Sequence, residues 1–162
     1  MLIGNRSSIA ACWRYFLYVA DHKLNVLVEC WREGLYLQGI VHDLSKFHPE
    51  EFVPYALKFY ADRKDEQTEL RWQYAWLRHQ NRNKHHWEHW VVNKQTREAL
   101  PMPRKYIIEM VCDWRSFSRK WGRKVKASGL LERILKSDSI ILHPATRQEL
   151  NDYIQSQAHA SR

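Results

Sequence analysis

Apolar and aromatic side chains recur at steps of three and four along residues 9–28, at Ile9, Trp13, Phe16, Leu17, Ala20, Leu24, Leu27 and Val28. That spacing stacks them along one stripe of an α-helix, whereas a strand would need alternation. Ser8 suits the start of this helix and Gly34 its end. The pattern continues: a short helix is predicted over 40–47, and Pro49 at a first helical position opens another that runs toward Tyr60. Trp72, Trp76 and His79 share a face of a helix over 66–81, and a short helix is expected near 84–92. Pro101 and Pro103 introduce one reaching about Trp121 with Gly122 just beyond it, and two more are expected near 129–137 and 144–157. No run alternates long enough to argue for a sheet, so the expected class is all-α, a compact multi-helix bundle with β content near zero.

Only 5 Gly and 5 Pro occur in 162 residues, with no repeat and no linker-like tract, so residues 1–162 read as one domain, with a core over about 8–137. A chain of this length buries roughly 68–70% of the surface its unfolded form exposes, enough to fold without a staple. Cys12, Cys30 and Cys112 form no C-x-x-C pair and are odd in number, which argues against a disulfide framework or zinc finger and for a reducing, cytoplasmic setting. The longest apolar stretch, residues 9–20, contains Arg14 and is too short to span a bilayer. No membrane partner is expected. The eight Trp and eight Tyr are assigned mainly to packing, with Trp13, Trp31, Trp72, Trp76 and Trp114 on predicted core faces.

The net charge of +8 is uneven: residues 1–100 carry +2 and residues 101–162 carry +6. Arg115, Arg119, Lys120, Arg123, Lys124 and Lys126 follow one another without an intervening acid. Such a field favours an anionic partner, a phosphorylated small molecule such as a nucleotide first and nucleic acid second.

Chemistry is suggested by His42 followed directly by Asp43, with His22 one helix earlier. Nitrogen and carboxylate ligands suit divalent transition metals, and a carboxylate can bridge two ions that clamp a phosphoryl group. Glu109, Asp113, Ser116 and Lys120 fall on one helix face, so an acid there can meet a metal. His22, Asn25 and Glu29 share another face, where Asn25 or Glu29 could orient the imidazole.

The string His42-Asp43-Leu44-Ser45-Lys46, with His22 upstream and Asp113 downstream, resembles the H…HD…D signature of the HD-domain metal-dependent phosphohydrolases over roughly residues 15–121. That superfamily is all-helical. The resemblance implies a metal held by His22, His42, Asp43 and Asp113. HDLSK is also similar to the HD-I-G-K form of the HD-GYP phosphodiesterases, which implies that Lys46 faces the substrate phosphate. His79 and then His85-His86 match the further histidines of that branch in type and order, implying a second metal position bridged by Asp43; the GYP element itself is missing. The strings HKLNVLVEC, HDLSKFHPEEF and NKHHWEHW resemble an uncharacterised HD-like family of bacteria and phages. The expected activity is hydrolysis of a nucleotide or other small phosphoester with one or two ions of Mn, Fe, Co, Ni, Zn or Mg. Lys46 and Asp43 would be catalytic, and Lys84, Lys120 and Arg119 would bind substrate. The alternative is an HD-like protein that binds a nucleotide or nucleic acid without turnover.

Overall fold

The protein is described by a computed structural model covering residues 5–62, 65–120 and 137–160. It is all-α, as the periodicity predicts. In chain order come α1 (Asn5–Arg32), α2 (Tyr36–Val41), a 3-10 turn (Leu44–Phe47), α3 (Pro49–Tyr60), α4 (Glu66–Arg82), a second 3-10 turn (Trp87–Trp90), strands β1 (Val91–Asn93) and β2 (Glu98–Ala99), α5 (Arg104–Lys120) and α6 (Pro144–Ala160). The helix starts follow local chemistry. Pro49 sits in the first turn of α3, where the His48 ring accepts from Glu50 N; Asp65 Oδ1 accepts from Thr68 N at 2.7 Å to open α4.

α2, α3 and α5 all pack on α1. The face that α1 turns to them is not the apolar stripe. Ala11, Tyr15, Val19, His22, Val26 and Cys30 are buried, whereas Ile9, Trp13, Phe16, Leu17, Leu24 and Trp31 are exposed. Tyr15 and Val19 join Tyr55, Ala56 and Ala75 in one cluster, and Val26 and Cys30 meet Cys112 of α5 in another. Trp72, Trp76 and Trp114 do pack against core clusters as expected, but Trp13 and Trp31 do not. A third cluster joins α5 to α6 through Ile107, Met110, Val111, Leu150 and Tyr153.

The helix expected over 40–47 is divided. α2 stops at Val41, His42 is extended (φ −49°, ψ 126°), and Asp43 takes the left-handed conformation at φ 53° before the 3-10 turn. A non-glycine residue costs least there when it is Asp or Asn. The Lys23 ammonium donates to the carbonyls of Ile40 (2.6 Å) and His42 (2.8 Å), closing the end of α2 against α1. Gly39 sets how closely these helices approach: a Cβ there would lie 3.0 Å from Cys30 Cβ and from Leu27 Cδ1.

The short helix expected near 84–92 reduces to the 3-10 turn Trp87–Trp90, and a two-stranded antiparallel hairpin follows it. With strands of three and two residues, the β content of the described residues stays near zero as expected. The β-branched pair Val91–Val92 favours extension, and Asn93 Oδ1 accepts from Gln95 N (2.9 Å) and Thr96 N (3.2 Å) to turn the chain. Gly122 and most of the helix expected near 129–137 lie outside the described residues, as do the side chains of Arg119 and Lys120. No helix among the described residues is long and apolar enough to cross a membrane.

Candidate metal centre

Five elements converge on one buried point. α1 supplies His22, the break after α2 supplies His42 and Asp43, the last turn of α4 supplies His79, the stretch before the second 3-10 turn supplies His85 and His86, and α5 supplies Glu109 and Asp113. Asp43 stands in the middle. Its Oδ2 lies 3.4 Å from His42 Nε2 and 3.9 Å from His22 Nε2, and its Oδ1 lies 3.3 Å from His79 Nε2 and 3.4 Å from His85 Nε2. Asp113 Oδ1 is 3.1 Å from His22 Nε2 and 3.9 Å from His42 Nε2. All seven metal ligands expected from the sequence are therefore brought together.

The close approaches are not hydrogen bonds. His22 Nε2, His42 Nε2, His85 Nε2, Asp43 Oδ1 and Asp113 Oδ1 are all buried without a hydrogen-bonding partner. Buried polar atoms are otherwise nearly always paired. Atoms that face one another at these distances without bonding are arranged as ligands around a shared cation would be. Their types, imidazole nitrogen and carboxylate oxygen, suit a divalent transition metal. Three groups have ligand atoms within 4.8 Å of one another: Asp43 with His79, His85 and His86; His22 with His42 and Asp113; and, behind them, His42 with His85 and Glu109.

Behind these atoms lies a layer of acceptors. Glu109 Oε1 lies 3.0 Å from His42 Nδ1 and 3.2 Å from His85 Nδ1, so one carboxylate holds two imidazoles. Glu51 Oε2 takes His79 Nδ1 at 2.9 Å and also accepts from Ser45 Oγ at 2.8 Å. A carboxylate that accepts from Nδ1–H leaves the Nε2 lone pair facing inward, the tautomer a metal ligand needs. His22 Nδ1 meets Ser116 Oγ at 3.2 Å, and its ring stacks on Phe117. Of the two residues either of which could orient His22, Asn25 donates to the Asp21 carbonyl and Glu29 accepts from Arg32.

Charge follows the same plan. Burial opposes ionisation of Asp43, but His42, Lys46, His85 and His79 outweigh it and hold the carboxyl well below the ordinary range. Burial likewise opposes ionisation of Asp113 and Glu109; the His22 and His42 imidazoles facing Asp113, and the hydrogen bonds from His42 and His85 to Glu109, carry both carboxyls below their usual values. Burial would depress His85, yet the Glu109 hydrogen bond and the Asp43 and Asp113 charges raise it. His86 has Glu88 Oε2 no nearer than 3.8 Å from its Nδ1. Burial first, then His85 and His79, push it down to about 2, and its Nε2 rests 2.9 Å from His79 Nε2. Lys46 closes the cluster with its ammonium 2.7 Å from Asp43 Oδ2; burial works against its charge, but Asp43 and Asp113 raise its pKa.

The Lys84 ammonium lies over the Tyr106 ring, 5.8 Å from the centroid, and makes no ion pair with the cluster among the described residues. His48 and His143 cap helices, and His89 Nδ1 lies 2.9 Å from the Asn81 carbonyl. Glu51, which holds His79, is the side chain of this cluster that the sequence concealed, since an acid in the first turn after Pro49 looks like ordinary helix-dipole compensation.

The sequence model of a family described as "Family of unknown function (DUF5662)" matches residues 11–156, and the chain belongs to that family. Comparison with curated proteins and with solved structures gives no match.

Proposed function

We propose, for a member of a family that assigns no chemistry of its own, that the chain is an HD-type metal-dependent phosphohydrolase acting in the cytoplasm on a nucleotide or other small phosphoester. The observation that carries this reading is the set of five buried, unbonded nitrogen and oxygen atoms turned toward one another around Asp43. One or two divalent ions held there would supply Lewis acidity and a water activated at neutral pH. The chain's own residues do the rest. Asp43, ionised, has one oxygen beside His79 and His85 and the other beside His42 and His22, so it could serve both ligand sets. Glu109 and Glu51 fix the proton of three imidazoles on Nδ1. Lys46, charged and beside Asp43 Oδ2, is placed to neutralise charge that develops on phosphoryl oxygens.

The test is metal content and turnover together. Protein supplied with Mn, Fe, Co, Ni, Zn or Mg in turn is expected to retain ions and to hydrolyse members of a panel of nucleotide monoesters and diesters. Retained metal without turnover on any of them would favour the nucleotide-binding alternative. Failure to retain any metal would end both the hydrolase reading and the metal centre.

A further inference from the structure

α1 presents a physical inversion. Measured at about 100° per residue, Ile9, Trp13, Phe16, Leu17, Ala20, Leu24, Leu27, Val28 and Trp31 fall within about 60° of one line along the helix, and no charged residue falls among them. The opposite face carries His22 and Glu29, and it is this polar-bearing face that is buried. A helix of a folded monomer turns its apolar stripe inward. Leu27 lies beneath Gly39 of α2, Trp31 meets Tyr36 of α2 edge-on at 4.7 Å, and Phe16 reaches the 3-10 turn, yet Ile9, Trp13, Phe16, Leu17, Leu24 and Trp31 all remain exposed.

The exposed surface runs past α1. Phe16 meets Phe47 edge-on at 6.2 Å, and Ile40, Val41 and Leu44 carry the patch across α2 and the 3-10 turn. Five aromatic side chains between Trp13 and Phe47 are 36–60% exposed. At ~150–250 Å² each they leave roughly 500 Å² of aromatic surface in water before any aliphatic side chain is counted. A stable interface needs about 800 Å² per partner, and the largest patch on a typical monomer is about 300–600 Å².

We infer that this face is the interface of a twofold dimer in which α1 packs antiparallel on α1 of a second copy. The edge charges select that occupant. Arg14 and Asp21 border the stripe on the same side, seven residues apart. A twofold axis between Leu17 and Tyr18 brings each Arg14 opposite the other copy's Asp21, and sets each Trp13 level with the gap between the other copy's Ala20 and Leu24. One self-complementary patch meeting itself is what a twofold axis requires. An anionic bilayer would accept Arg14 at that edge but be repelled by Asp21. The inference is independent of the proposed hydrolysis.

The full-length protein is expected to sediment at twice its 19.6 kDa chain mass, and Leu17→Glu/Leu24→Glu to sediment at the single mass, with dimer dissociation at least 100-fold weaker. Both side chains are exposed in the protomer, so circular dichroism should be unchanged. As a second readout, Leu17→Cys in a Cys12→Ser background should form an intermolecular disulfide on mild oxidation, and Leu77→Cys, exposed on α4, should not. A wild-type chain that is monomeric up to millimolar concentration overturns the dimer. So does a dimer that survives the double substitution, or a monomer that floats with phosphatidylglycerol–phosphatidylcholine vesicles.

Discussion

The two halves of the metal centre are built differently. His22 and Asp113 stand in the middle of α1 and α5, helices of 28 and 17 residues packed on each other, and His42 is pinned to α1 through Lys23. His79 lies in the last turn of α4, and His85 and His86 follow it in irregular chain whose course depends on Asn83, which donates to Ser45 Oγ and to the His79 carbonyl. Packed helix interiors open rarely, whereas helix ends and loops open at lower free energy. The first half should therefore hold an ion tightly, and the second should exchange its ion more readily.

The severest way to break this contrast is to remove what the halves share. Asp43→Ala should abolish both ions and all turnover while leaving helical content intact, read by elemental analysis and circular dichroism; full occupancy in this variant would take Asp43 out of the ligand set. Lys46→Ala belongs to neither half. It should keep the wild-type metal content and lose about 10²-fold in kcat, the magnitude expected for one electrostatic donor.

Smaller changes sharpen the contrast. Glu109 serves one histidine of each half, so Glu109→Gln should weaken both ions about 10–100-fold in a chelator competition, whereas Glu51→Gln should weaken only the more exchangeable one. Equal effects of the two variants would erase the division. The smallest effect is on the pH dependence of the metal-free protein. His86, at about 2, lies below its unfolded value of ~6.5, so the stability it contributes is present above about pH 6.5 and is lost as the pH falls. His85 is raised, so its contribution is present below about pH 6.5 and is lost as the pH rises through its folded value. Urea midpoints across pH 5–8 should flatten on the acid side in His86→Gln and on the alkaline side in His85→Gln.

Much of the scaffold was legible because its punctuation is local. Pro49 marks the start of α3, and the Trp72–Trp76–His79 spacing marks α4. The orientation of α1 was not legible from the same kind of signal, because periodicity finds a stripe without saying whether the core or another surface covers it. The division of 40–47 was hidden for another reason. Helical propensity is satisfied throughout that segment, and only the tertiary placement of Asp43 among four imidazoles and Lys46 demands φ 53°. Strands of three and two residues are too short for alternation to register, which is why the hairpin went unseen. The resemblance to a known pattern singled out the histidines that the fold gathers around Asp43, but the carboxylates behind them are separated from their partners by 28 (Glu51–His79) and 67 (His42–Glu109) positions, and no local pattern joins them.

Gly39 gives the centre a mechanical tolerance. Three residues before His42, it leaves little room for a methyl group: an added carbon would press on Cys30 and Leu27 at 3.0 Å, with the Leu27 Cα 3.3 Å away, and the neighbours would have to give. Because that Cα belongs to the backbone of α1, the load falls on the lighter arm, and α2 would swing outward with His42 and Asp43 at its tip. Gly39→Ala would thus act as a wedge at the hinge of a lever, altering ligand spacing from a position that touches no ligand. The bore of the metal centre is gauged by the hydrogen atom at Gly39.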